Sequence, residues 1–320
     1  MDDDVESSWK VFESDPACFN ELLDALGVKG LIVDDLYSLD SASLAALQPL
    51  HALVFLFKWV AGSDEKGGAS GEYDQDFTGF FMRQVVNNAC ATIAVLNGLF
   101  NIPGAEVGEQ LAQLQEFSTG MDAETRGEIF TSSDWLRTQH NSLIPPSAIS
   151  LANLGLPKTA EDAYHFVVYL PHLGAVYELD GLKRAPINHG AYPEAGEGWA
   201  GKAREVIEHR ISTYPPGSIH FNLLAIRGDP LPSLRAQLQA AGDNPMAEVY
   251  QEQIRIEEEK RSAWAFENSL RRHNHLGLIH SLLLGLAQAS PSAYDKAIEN
   301  AKAKYKERKE KAKKDGTWEE

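Results

Sequence analysis

An α/β domain followed by a helical extension is the fold class that this 320-residue sequence predicts. Three observations carry that reading. Up to residue 228, runs rich in β-branched and aromatic residues alternate with segments whose apolar residues recur at helical spacing. At "DPLP" (229–232) the character changes, and the chain beyond is helix-rich and highly charged. A hydrophobic fraction of 43% is enough to bury a core of ordinary size.

In chain order, "ESDPACFNELLDALGV" opens with a Ser-Asp-Pro helix start, and Phe19, Leu22, Leu23 and Leu26 follow on one face. "HALVFLFKWV" (51–60) is a nearly continuous apolar run, as in a strand buried on both faces. Residues 61–76 are rich in glycine and charge and predict a loop. In "FFMRQVVNNACATIAVLNGLF" (80–100), Ala91, Ala94, Val95 and Leu99 predict a helix beginning near Asn88 to Cys90, with Asn88 as its N-cap. Segments 105–118 and 123–140 read as helices. Residues 141–162 hold three prolines and no clean period, which predicts a long loop of the kind that carries function. Strands follow at "YHFVVYL", "AVYELD" and "FNLLAIRG". Beyond 229 the helical segments are 234–288 and a lysine-rich 296–314.

Composition narrows the function. A net charge of −17 argues against general nucleic-acid binding, which needs a basic footprint, and suits basic or neutral partners. Two cysteines, Cys18 and Cys90, make no disulfide framework and point to a reducing compartment. The acidic "MDDDVESSWK" is no secretory signal, and "LGLIHSLLLGLAQA" is too short to span a bilayer. A soluble intracellular protein is expected. His273, His275 and His280 are spaced by two and five residues, which does not place them on one helical face, so no metal or other cofactor is expected.

Chemistry concentrates at two places. In "YHFVVYLPHLGAVYELDG" (164–181), two β-rich runs flank the turn "PHLG". If Leu170 faces Ala175 across that turn, His165 faces Asp180, and the carboxylate can accept the imidazole Nδ1 proton and orient the ring. Such a pair is the base-and-orienter half of a catalytic triad, although a facing His/Asp pair is more often a structural bond. Cys90 supplies the other half. At a helix N-terminus the unpaired N–H groups favour a thiolate, and a neighbouring imidazole strengthens that preference. Gln84, six residues earlier, offers a side-chain donor to an oxyanion, beside the Cys90 backbone N–H. A lone cysteine in an apolar helix is otherwise a small core residue, and Cys18 keeps that reading.

These residues resemble a known family. "QVVNNACATIAVLN" is similar to the active-site motif of the ubiquitin C-terminal hydrolases, cysteine peptidases of the papain-like superfamily, and "YHFVVYLP", "YELDGLKRAPINHG", "ESDPACFNELL" and "LVFLFKW" fit in order. The resemblance implies an α+β fold with an antiparallel sheet between helical layers. It implies Cys90 as nucleophile, His165 as general base and acid, Asp180 as its orienter and Gln84 in the oxyanion hole. It also implies a catalytic domain over 7–228 with a crossing loop at about 141–162 that limits leaving-group size, a linker at 229–245, and a helical partner-binding extension over 246–320. "SLRRHNHLGLIHSLLLGLA" with its lysine-rich end resembles the extension of the proteasome-associated members. Expected partners are therefore ubiquitin and its conjugates, a ubiquitin receptor of the proteasome regulatory particle, and a chromatin-remodelling complex, with the protein in cytoplasm and nucleus. The final "DGTWEE" departs from the basic end of that pattern. Rival readings are a silent ubiquitin-binding scaffold and a hydrolase of a Nedd8-type modifier.

Overall fold

Seven strands, β1 (Leu31–Asp35), β2 (Leu50–Lys58), β3 (Glu72–Tyr73), β4 (Tyr164–His172), β5 (Ala175–Leu179), β6 (Ile187–Ala191) and β7 (Phe221–Gly228), form one sheet in the order β1-β7-β2-β4-β5-β6-β3. Every neighbouring pair is antiparallel. This computed structural model describes residues 8–58, 71–142, 144, 164–214, 221–242 and 244–314. Nearly all of the expected crossing loop therefore lies outside the described residues, as does the end of the apolar run at 59–60.

Both faces of the sheet are covered. Alternate residues point to opposite sides of a strand. On one side Val54, Phe166, Val168, Leu224 and Ile226 pack with Phe19 and Leu22 of α1 (Pro16–Ala25) and with α3 (Cys90–Leu99). Leu111 of α4 (Glu109–Phe117), Phe130 of α5 (Ala123–Thr131) and Leu136 of α6 (Asp134–Ser142) complete that layer. On the other side Leu53, Phe55, Val167 and Tyr169 meet Leu44 of α2 (Ser41–Ala46) and Ala203 and Ile207 of α7 (Gly198–Ser212). The antiparallel sheet between helical layers is the architecture expected. Burial on both faces also explains why β2 reads as an unbroken apolar run.

Local chemistry sets several ends. Asp15 caps α1, its carboxylate accepting from Ala17 N–H, with Pro16 at the first helical position. The segment 123–140 is two helices, because the chain turns at Ser132–Ser133. Helix α3 is buried almost all round, from Ala91 to Leu99, as befits a helix in the middle of a core.

The expected linker at 229–245 instead carries α8 (Pro230–Ala241), capped by Asp229. The first compact unit continues past it to Ser269. Charge accounts for this. Arg227 on β7 donates to Asp34 of β1 at 2.6 Å, and α9 (Met246–Arg272) brings Lys260 to Asp34 at 2.9 Å and Arg261 to Asp229 at 2.6 Å. Asn268 donates to the Ala17 carbonyl at 2.8 Å. Asp34 and Arg227 are nearly buried, and pairing is what makes buried charge tolerable. A second compact unit takes in the chain from Leu270, with α10 (Leu276–Ala289) and α11 (Pro291–Lys314). No residue of α10 is buried, and Leu278, Leu282, Leu283 and Leu286 are exposed.

Candidate active site

The β4–β5 hairpin turns two residues later than the sequence predicts. His172 faces Ala175, and the pairing continues to Val168 opposite Leu179. The turn is Leu173–Gly174, with φ of 45° and 81°. Positive φ at both central residues is the geometry of a type I′ turn. A leucine at such a position gives no sequence signal, which is why "PHLG" reads as the turn. His165 and Asp180 are therefore not directly opposite. Because the shift is two residues and the side-chain period is two, they stay on the same face.

They also stay bonded. His165 Nε2 donates to Asp180 Oδ1 at 2.6 Å, so Nε2, not the expected Nδ1, meets the carboxylate. Both side chains are buried, with residue exposures of 4% and 1%. The Leu182 N–H donates to the same carboxylate oxygen at 2.9 Å and holds it in place. The Cys90 side chain is also hydrogen-bonded to the imidazole. Cys90 is the first residue of α3, at the helix start the sequence predicts, and it is half-buried. Burial alone would depress the His165 pKa. The bonds to Asp180 and Cys90 outweigh it and raise the pKa to about 9. Phe57, opposite His165 on β2, stands edge-on to the ring at 5.8 Å, and Arg210 lies 4.1 Å over Phe57.

A half-exposed thiol at a helix start, touching an imidazole pinned by a buried carboxylate, is the constellation of a cysteine peptidase. The comparisons with known proteins agree. The profile described as "Ubiquitin carboxyl-terminal hydrolase, family 1" matches residues 9–212, and one described as "Ubiquitin carboxyl-terminal hydrolases" matches residues 247–290. Ubiquitin carboxyl-terminal hydrolase 2 of Schizosaccharomyces pombe is 38% identical over 94% of this chain and 99% of its own. The ubh-4 hydrolase of Caenorhabditis elegans is 36% identical over 93% and 94%. A crystal structure of Trichinella spiralis UCH37 bound to ubiquitin vinyl methyl ester superposes with a TM-score of 0.64, at 32% identity, over 80% of this chain and 99% of that one. The chain belongs to the ubiquitin carboxyl-terminal hydrolase family 1. It is a cysteine-type deubiquitinase.

In this hydrolase the segment leading to Gln84 is zipped along α3. Asn97 exchanges two bonds with the Met82 backbone, at 2.9 and 3.1 Å, and Asn101 does the same with Phe80, at 2.9 and 2.7 Å. The Gln84 N–H then donates to the Gly181 carbonyl at 2.8 Å, which ties it to the residue after Asp180. The Gln84 amide donates to the Val86 carbonyl at 2.9 Å, while its buried oxygen has no partner among the described residues. All four residues singled out from the sequence thus fall in one place.

Asn88 is not the cap of α3. That position belongs to Ala89, and no side chain caps the helix. Asn88 instead adopts a left-handed φ of 66°, which asparagine tolerates better than most residues, and donates to the Trp9 carbonyl at 3.0 Å. Among the described residues no side chain caps the first turn of α3.

Sequence reasoning missed the support beneath the hydrolase site. His140, fully buried on α6, bonds Thr92 Oγ1 at 2.8 Å through Nδ1 and donates to the Lys10 carbonyl at 2.8 Å through Nε2. Thr92 lies two residues after Cys90, so this bond braces the first turn of α3. Burial lowers the His140 pKa to about 4, partly offset by the bond to Lys10. Only the Thr92–His140 separation in sequence hid this pair; nothing local marks it.

Proposed function

We propose that this chain cleaves the bond after the C-terminal glycine of ubiquitin, with Cys90 as nucleophile, His165 as general base and acid, Asp180 as its orienter and Gln84 as an oxyanion donor. The 2.6 Å His165–Asp180 bond beside the Cys90 thiol carries this reading. The Cys90 sulfur attacks the glycine carbonyl carbon. The oxygen, now negative, is met by the Cys90 N–H and the Gln84 amide. Collapse expels the amine, which takes the proton from His165, and leaves a thioester. His165 then removes a proton from water, whose attack releases the ubiquitin carboxylate and the thiolate.

The T. spiralis UCH37 complex supports ubiquitin as the substrate, because that relative was captured with a ubiquitin-derived electrophile. Incubation with ubiquitin vinyl methyl ester is expected to add one ubiquitin mass to the wild-type chain and none to Cys90→Ala. Modification of Cys90→Ala, or an unmodified wild type, would reject the assignment.

The extension supports a second element of the reading, capture of a proteasomal ubiquitin receptor in cytoplasm and nucleus. The exposed leucines of α10 and the family profile over 247–290 point to a partner surface. Deletion of residues 270–320, which spares the Lys260 and Arg261 anchors of α9, is expected to abolish receptor binding and preserve turnover of a small ubiquitin amide. Full binding by the truncated chain would contradict it.

A further inference from the structure

We propose that Gly181 is a positioning residue for Gln84, so that the turn Asp180–Leu182 aligns the general base and the oxyanion donor together. The inference rests on the catalytic reading above. Asp180 Oδ1 accepts from His165 Nε2 at 2.6 Å and from Leu182 N–H at 2.9 Å, and the Lys183 N–H closes the turn on the Asp180 carbonyl at 2.9 Å. Between these two anchors, the Gly181 carbonyl accepts the Gln84 N–H at 2.8 Å. One tripeptide therefore touches both catalytic partners of Cys90.

The absence of a side chain at 181 is what permits the approach. Gly181 is not among the glycines with positive φ, so backbone freedom does not explain it. Space does. A Cβ there would lie 3.0 Å from Ile93 Cγ2 and 3.2 Å from both Gln84 Cβ and Gln84 N, inside ordinary van der Waals contact. Ile93 stands one turn beyond Cys90 on α3, a helix buried from Ala91 to Leu99. Two of the three close contacts fall on Gln84, whose backbone N is bonded to the Gly181 carbonyl. Among the described residues the amide at the end of the side chain is held by one hydrogen bond, to Val86, and its oxygen has no protein partner. A shift of a few tenths of an ångström at its Cβ is thus passed on to the donor. Oxyanion donors act through fixed geometry, and losing one costs about 10²–10³ in kcat.

The test compares wild type, Gly181→Ala, Gln84→Ala and the double variant on a fluorogenic ubiquitin amide. Gly181→Ala is expected to lower kcat about tenfold with KM within twofold, as a misplaced donor should. On the Gln84→Ala background the same change is expected to cost under twofold, since the donor it misplaces is already gone. The pH dependence of Cys90 alkylation by iodoacetamide is expected to match wild type in Gly181→Ala. A tenfold loss that persists without Gln84, or an alkylation profile that moves, would show that Gly181 acts through Asp180 and overturn the proposal. Full activity of Gly181→Ala would overturn it too. Full activity of Gln84→Ala would instead reject the oxyanion role itself. Should Gly181→Ala not fold, the comparison moves to an Ile93→Ala background, where only the Gln84 contacts remain.

Discussion

His165 and His140 are almost equally hidden, at 4% and 0% exposure, yet they are driven to opposite charge states. His140 meets a hydroxyl and a backbone carbonyl. Neither can offset the cost of burying a cation, so its pKa falls to about 4. His165 meets a carboxylate and a thiol, and its pKa rises to about 9. His51, also lowered by burial alone, follows His140. Between His165 and His140, therefore, equal burial gives opposite outcomes, and the ionisable partner makes the difference. The contrast separates roles as well. The neutral ring props up the first turn of α3, and the charged one faces the thiol at its tip.

The comparison breaks most visibly at Asp180. Asp180→Asn keeps the shape but puts an amide donor where the ring needs an acceptor. A fall in kcat of about 10³, roughly 4 kcal/mol, is expected on a fluorogenic ubiquitin amide. A loss under tenfold would mean that the carboxylate does not orient His165.

Next in size, the two rings predict opposite limbs in a plot of stability against pH. For His140 the folded value lies below the ordinary 6.5, so its contribution is present above 6.5 and is lost as pH falls through about 4. For His165 the folded value lies above 6.5, so its contribution is complete below 6.5 and is lost as pH rises through about 9. Each limb amounts to at most about 3 kcal/mol. Urea titrations from pH 4 to 9 measure both, and His140→Gln is expected to flatten the acid limb alone. An acid limb unchanged by that substitution would assign it to the carboxylates.

The smallest effect sharpens the structural side. Thr92→Val removes the hydroxyl that meets His140 Nδ1 and is expected to cost about 1–2 kcal/mol in stability. Turnover should stay within a few-fold, because the Cys90–His165–Asp180 contacts are untouched. A large loss of kcat at full stability would make His140 part of the chemistry.

Much of the site was legible because it is written in local patterns. The unbroken apolar period after Asn88 placed Cys90 at a helix start, and two β-rich runs around a turn placed His165 and Asp180 on one hairpin. The register was wrong by two residues because Leu173 takes a left-handed φ that its side chain does not advertise. The agreement survived because two is the period of a strand. Elements with weak local signals went unseen. β1, "LIVDD", ends in two acids, and one of them, Asp34, is held by Arg227 and Lys260 from far along the chain. β6, "INHGA", has no apolar alternation. The first part of α9 reads as part of a separate extension because its anchors to β1 and β7 are ionic and distant in sequence.

An NMR titration of the histidine ring protons from pH 3 to 10, with His165 and His140 assigned by substitution, reads the two charge states separately. The His165 ring is expected to stay charged until about pH 9, and the His140 ring to stay neutral down to about pH 4. Midpoints for both rings near the ordinary 6.5 would contradict both expectations.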